Sequence, residues 1–289
     1  MSAAEAQAAV PVRKPGDLRR VLRRVSAKVG LLITVIFLLL TVAAPLVAPY
    51  DPYDQDLSSA LSEPSAQHWM GADQYGRDMF SRVLYGTRTA LLAVVVADGL
   101  ALVLGCAAGL VAGFFGGRTD AVIMRLVDVV LAFPYLLLAL IIVAALGPGL
   151  TNSMIAIGIV YTPQYARLIR GQVLAIRHAD FVRAARALGA SRVRIMLRHV
   201  LPNSITPILV MATLQAGSVV VETAGLSFLG LGAQPPSPDW GALLADGQSY
   251  FLTAWWIATF PGLAIFLVVL GFNLLGDAFR DHFDPRRAS

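Results

Sequence analysis

The sequence predicts an all-α integral membrane protein, with six transmembrane helices and a cytoplasmic helix pair between spans 4 and 5. Three observations carry that expectation. Of 289 residues, 57% are hydrophobic and only 14% are charged, where a soluble domain carries about 25% charged residues. The mean hydropathy is +0.68. The apolar residues gather into runs near the length of about 20 that a bilayer-crossing helix needs. The lysines and arginines then fall into alternate segments between those runs.

The expected spans are Val29–Val47, Thr89–Phe115, Val127–Leu146, Asn152–Tyr165, Leu201–Val221 and Thr253–Gly276. The fourth is short unless it continues through Tyr165 toward Ile169. The chain then divides into a basic cytoplasmic tail (1–28), a first transmembrane helix (29–47) and an extracytoplasmic segment (48–88). A five-helix core (89–276) carries the central loop 167–200, and a cytoplasmic tail (277–289) closes the chain. Alternate segments hold 20 of the 23 basic residues on one side and 3 on the other. Positive charge is retained in the cytoplasm, so both termini and the central loop are expected there. The N-terminal leucine-rich run exceeds a signal peptide's 7–15-residue apolar region, and Pro45 and Pro49 stand where small residues precede cleavage. An uncleaved first span is the expectation.

Composition also excludes chemistry. Cys106 is the single cysteine, and His68, His178, His199 and His282 are scattered without ligand spacing. No metal or cofactor is expected. The two lysines, Lys14 and Lys28, follow Arg13 and Ala27, so the glycine–lysine pair of a Walker A loop is absent. H-E-x-x-H and G-x-S-x-G are absent too. Charge within the spans is scarce, unlike in ion-coupled carriers. A transporter built this way draws its energy from a partner and is not itself an enzyme.

The central loop is the most informative stretch. Phe181, Ala184, Ala185 and Leu188 fall at i, i+3, i+4 and i+7, one apolar helical stripe, with Arg183 and Arg186 off it. Gly189 suits the left-handed position that ends a helix, and Ser191 suits the cap of the next. Val193, Met196, Leu197 and Val200 repeat the spacing, and Pro202 marks a change of course toward the fifth span. Three readings compete: a nucleic-acid-binding helix–turn–helix, an amphipathic pair on anionic lipid, and a docking element for a cytoplasmic partner. A groove reader tethered between two spans has little access to DNA, so no nucleic-acid partner is expected.

Arg183-Ala184-Ala185, Gly189 and His199-Val200-Leu201-Pro202 resemble the E-A-A…G…I-x-L-P loop of ABC importer permeases. Arg183 replaces its glutamate and His199 its isoleucine. "GADQYGRDMFSRVLYGTR" (71–88), "SFLGLGAQPPSPDWG" (227–241), "FPGLAI" (260–265) and "FNLLGDAFRDHFDPR" (272–286) extend the likeness to the C-type permease of dipeptide, oligopeptide and nickel importers. The resemblance implies a homologous B-type permease partner, two cytoplasmic ATPases and an extracytoplasmic solute-binding protein. The loop, with Phe181, Arg183, Ala184, Ala185, Arg186, Leu188, Gly189 and Ser191, would couple to one ATPase. A nickel or small-solute importer of the same architecture stays open, as does a stand-alone channel or carrier.

Two further features stand out. Gly105, Gly109, Gly113 and Gly117 recur every four residues, a spacing that lets helices approach closely in lipid. Asp98, within the second span, is expected to face the bundle or water. It is a candidate for the substrate path or for a local pair near the outer end. The acidic segment 48–88 and Gln234–Trp240 are expected to meet the solute-binding protein.

Overall fold

The computed structural model describes residues 25–283, and the outer parts of both expected cytoplasmic tails lie outside that range. Nine α-helices are present among the described residues. They are α1 (Val25–Val47), α2 (Met79–Phe115), α3 (Gly117–Leu131), α4 (Tyr135–Leu146), α5 (Leu150–Ile176), α6 (Asp180–Ala187), α7 (Arg192–Phe228), α8 (Trp240–Gln248) and α9 (Trp256–Phe283). α1, α2, α7 and α9 are long and apolar enough to cross a bilayer, and α3 with α4 makes a fifth if the bent pair is one span.

α1 shows how the sequence makes a lipid-facing helix with one packed edge. Ala27, Gly30, Thr34, Phe37, Thr41 and Ala44 are buried, alternating steps of three and four. That repeat puts them on one stripe, whereas Leu32, Val42 and Leu46 look outward. The stripe meets α9 closely: a Cβ on Gly30 would lie 2.8 Å from that of Leu274, and one on Gly271 2.7 Å from Ile33 Cγ2.

The expected third span, Val127–Leu146, is not one helix. It breaks after Leu131 and resumes at Tyr135 with a 92° bend. Pro134 has no N–H to donate and pushes Phe133 out of the helical region, which ends the first helix. The expected second span begins ten residues early, at Met79, where Asp78 accepts the Ser81 N–H at 2.8 Å and caps the helix. Its first turns carry Ser81 and Arg82, both buried against the segment between α1 and α2, so hydropathy gives no warning of them.

α5 extends the short fourth span to 27 residues, or about 40 Å. It is not among the lipid-crossing candidates. The reason is its place: one helix collects twelve buried residues, from Ser153 to Val173, and forms the middle of the larger core. A helix shielded by its neighbours can carry polar residues that lipid would reject.

Two π-turns interrupt long helices, at Val94–Asp98 in α2 and at Met196–Val200 in α7. The second corrects the expected change of course at Pro202. A proline ring crowds the carbonyl one turn back, and the widened turn just before it absorbs the conflict. The helix therefore runs from Arg192 to Phe228 without a break.

The segment between α1 and α2 is knitted down. Asp73 binds Arg77 Nε at 2.6 Å and lies 3.5 Å from Arg82 Nε, all three buried. Trp256 Nε1 donates to Ala72 O at 3.0 Å and Trp240 Nε1 to Val83 O at 2.8 Å. Asp239 caps α8, accepting from Gly241 and Ala242, although burial holds its carboxyl above the usual range.

Candidate functional site: the loop between α5 and α7 and the helices it meets

The loop begins with α6. Its end is a full double closure: Gly189 N–H donates to Arg186 O at 3.0 Å and Ala190 N–H to Ala185 O at 3.1 Å, with Gly189 at φ 77°. Left-handed backbone is cheap only for glycine. Ser191 then accepts from Arg194 N at 3.3 Å and starts α7. The second member of the expected helix pair is thus the first turn of a long helix.

The expected stripe of Phe181, Ala184, Ala185 and Leu188 splits between two roles. Ala185 is buried, together with Val182, against Ile195, Met196 and Val200 of α7. Phe181, Ala184 and Leu188 remain exposed, Leu188 at 87%. The helix is apolar around more than one face. The Val182–Ala185 edge anchors it to its own subunit, and the Phe181–Ala184–Leu188 edge is open.

The arginines also separate. Arg183 pairs with Asp180 on the exposed surface. Arg186 turns the other way, into a cleft shared with Arg177, His178 and Arg192. Deeper, Arg170 grips Asp120 of α3 with two bonds, at 2.5 and 2.7 Å, and Arg167 reaches Asp128 at 2.7 Å. The forked Arg170–Asp120 pair fixes geometry as well as charge.

Three of the four expected glycines meet α5. An added Cβ would sit 2.4 Å from Tyr165 Cβ at Gly105, 2.3 Å from Ala166 O at Gly109, and 2.8 Å from Val173 Cβ at Gly113. Gly117 is outside this contact: it follows the chain turn at Gly116, has φ 54°, and has open space where its Cβ would be.

Asp98 ends the π-turn of α2 and is 6% exposed; it accepts the Tyr165 hydroxyl at 2.5 Å. One turn earlier along α5, Tyr161 donates to Glu222 of α7. Glu222 had been expected at the start of an outer loop, yet α7 runs on to Phe228 and holds it inside the helix. Glu222 retains partial exposure. Tyrosines four apart at 161 and 165 share one helix face, a signal readable beforehand. The π-turn that aims Asp98 at them leaves no mark in the hydropathy pattern.

The family model described as binding-protein-dependent transport system inner membrane component matches residues 105–289. The chain belongs to that family. A second model, the N-terminal TM domain of oligopeptide transport permease C, covers residues 18–64. The permease is 46% identical over 263 residues to the dipeptide transport system permease protein DppC of Alkalihalophilus pseudofirmus, covering 91% of this chain and 86% of that one. It is 47% identical over 254 residues to the probable D,D-dipeptide transport system permease protein DdpC of Escherichia coli, covering 88% and 85%. It is 43% identical over 287 residues to the glutathione transport system permease protein GsiD of Escherichia coli, covering 96% and 95%. Among solved structures it is similar to a chain of the inward-facing MetNI methionine ABC transporter, with a TM-score of 0.57 and 18% identity over 71% of this chain and 98% of that one. This is a multi-pass permease of the inner membrane, a transport component with no catalytic role of its own.

Proposed function

We propose that this permease forms half of the translocation pathway of an ATP-driven importer for di- or oligopeptides. The reading rests on one observation: its relatives at 43–47% identity, over 88–96% of the chain, carry names of dipeptide and glutathione transport. A homologous B-type permease completes the path, a solute-binding protein delivers the peptide outside, and two ATPases bind below. The chain crosses the membrane six times, by α1, α2, the α3–α4 pair, α5, α7 and α9, with both termini in the cytoplasm. The one-sided arginine distribution supports that topology.

In this reading Phe181, Ala184 and Leu188 enter a groove on an ATPase, with Arg183 at its rim. Val182 and Ala185 carry the motion to α7, and Gly189 and Ser191 hold the corner between the two helices. α7 spans 37 residues, about 55 Å, from the loop to the outer side. A displacement of α6 reaches Glu222 through one continuous helix. A carboxylate is costly against lipid, so the open side of Glu222 faces the pathway, where it meets a peptide's ammonium group. Asp98, one turn deeper and covered, supports the same face through Tyr165.

The deciding experiment is uptake of a labelled dipeptide by a strain deleted for this gene. Restoration by the wild-type chain is the expected result. Restored uptake of nickel, with dipeptide uptake unchanged by the deletion, would overturn the peptide assignment.

A further inference from the structure

The cleft beneath α6 is built unlike the rest of the loop. It encloses about 360 Å³ between the end of α2, the end of α5 and the start of α7. Arg177, Arg186, Arg192 and His178 line it beside Phe114 and Phe115, and no carboxylate does. The nearby acids are engaged elsewhere: Asp120 with Arg170, and Asp180 with Arg183. Among the described residues neither Arg186 nor Arg192 has an ion-pair partner. The Nε of Arg177 is buried without a hydrogen-bond acceptor, although its Nη1 donates to Gly113 O at 3.1 Å. A buried donor left unmatched is costly, and several guanidinium groups around one volume repel each other. Both costs vanish when an anion with several acceptor oxygens enters.

The location selects the anion. Phe114 and Phe115 end the long apolar run of α2 just before Gly116, Gly117 and Arg118. That is the level at which apolar core gives way to headgroups. Phe115 is 44% exposed. A phosphate held by the arginines would leave its acyl chains along that ring. Basic pockets at the cytoplasmic ends of spans suit anionic headgroups for this reason.

We propose that the cleft formed by Arg177, His178, Arg186 and Arg192 is a binding site for the phosphate of an anionic phospholipid, seated behind the ATPase-facing edge of α6. A bound headgroup ties α6 to the ends of α2 and α5. It thereby sets how firmly the loop is held when its outer edge is pushed.

The full-length permease, purified in mild detergent with its native lipids, tests this by native mass spectrometry and by titration with phosphatidylglycerol. The informative variant is Arg186→Gln/Arg192→Gln, because neither side chain holds another part of the fold. Arg194→Gln/Arg198→Gln removes equal charge outside the cleft. The wild type and the second variant should retain phosphatidylglycerol, and the first should bind it at least about ten-fold more weakly. Inorganic phosphate that binds the wild type but not the first variant, while phosphatidylglycerol does not, would identify a free anion as the source and overturn the lipid assignment. Equal lipid binding by the two variants would overturn the site. So would an Arg186→Gln/Arg192→Gln variant that keeps its lipid and loses only co-purification with the ATPases, since the cleft would then serve an acidic protein surface.

Discussion

Replacing Gly109 by alanine adds one methyl group at the closest point between α2 and α5. That carbon would stand 2.3 Å from Ala166 O and 3.0 Å from both Arg170 N and Ile169 Cβ. Two of those three atoms are backbone, so no side-chain rotation relieves the clash, and the helices must separate by about 1 Å to restore ordinary contact. Arg170 cannot yield freely, because both of its bonds to Asp120 hold that stretch of α5 to α3. Over-packing of this kind costs about 1–3 kcal/mol. Gly171 supplies the control on the facing helix, α5: nothing lies within 4 Å of its would-be Cβ. There, alanine should be neutral or stabilise by up to about 1 kcal/mol, through helix propensity alone. The same chemical change on two facing helices thus has different expected outcomes, a gap of roughly 1–4 kcal/mol. Thermal melting of the purified permease, followed by size-exclusion fluorescence, reads it directly. Gly109→Ala should melt several degrees below the wild type and Gly171→Ala at or above it. If the two variants melted together, the glycine seam would not be the contact that holds α2 against α5.

The remaining predictions concern the loop, the pathway and the outer cap. Leu188→Asp should leave folding intact, since that side chain is 87% exposed, yet abolish co-purification of the ATPases; retained assembly would remove the open edge of α6 from the docking surface. Gly189→Ala forces a Cβ into φ 77°, which costs about 1–2 kcal/mol and should loosen the corner, seen as faster hydrogen exchange across α6. Glu222→Gln should raise KM for a dipeptide with a free amino terminus more than for its N-acetyl form, and equal effects on both would remove the ammonium contact. Asp73→Ala strands Arg77 and Arg82 in a buried site and should cost about 3–5 kcal/mol, read as loss of the monodisperse permease on size exclusion.

Much of this architecture is legible in the residues, and the illegible parts share a cause. Hydropathy reports what touches lipid. It found α1 and the middle of α2 because their outer faces meet acyl chains. It placed the start of α2 ten residues late because Ser81 and Arg82 are covered by the segment that joins α1 to α2. It made Glu222 a loop residue because a lone carboxylate ends an apolar run on paper, though in three dimensions Tyr161 receives it inside the helix. The bend at Pro134 was local chemistry that a run of apolar letters concealed. In the loop, spacing identified an amphipathic helix and its glycine end, but periodicity alone does not say which apolar edge faces inward. That is decided by Ile195 and Val200, which offer Val182 and Ala185 a surface to meet.

The π-turn at Val94–Asp98 has a genetic consequence. A widened turn of this kind holds one residue more than the regular helix around it. Loss of a single codon there would remove the extra residue and restore ordinary winding with everything beyond it still in phase, whereas the same loss from the regular helix that follows would rotate everything beyond it by about 100°. A codon lost between Gly99 and Leu104 would swing Gly105, Gly109 and Gly113 off α5 together. The widened turn is therefore a place in α2 where the shortest in-frame deletion leaves the glycine seam in place. The faces shown by the two halves of α2 stay in phase through that turn because the extra residue is absorbed as width and not as rotation.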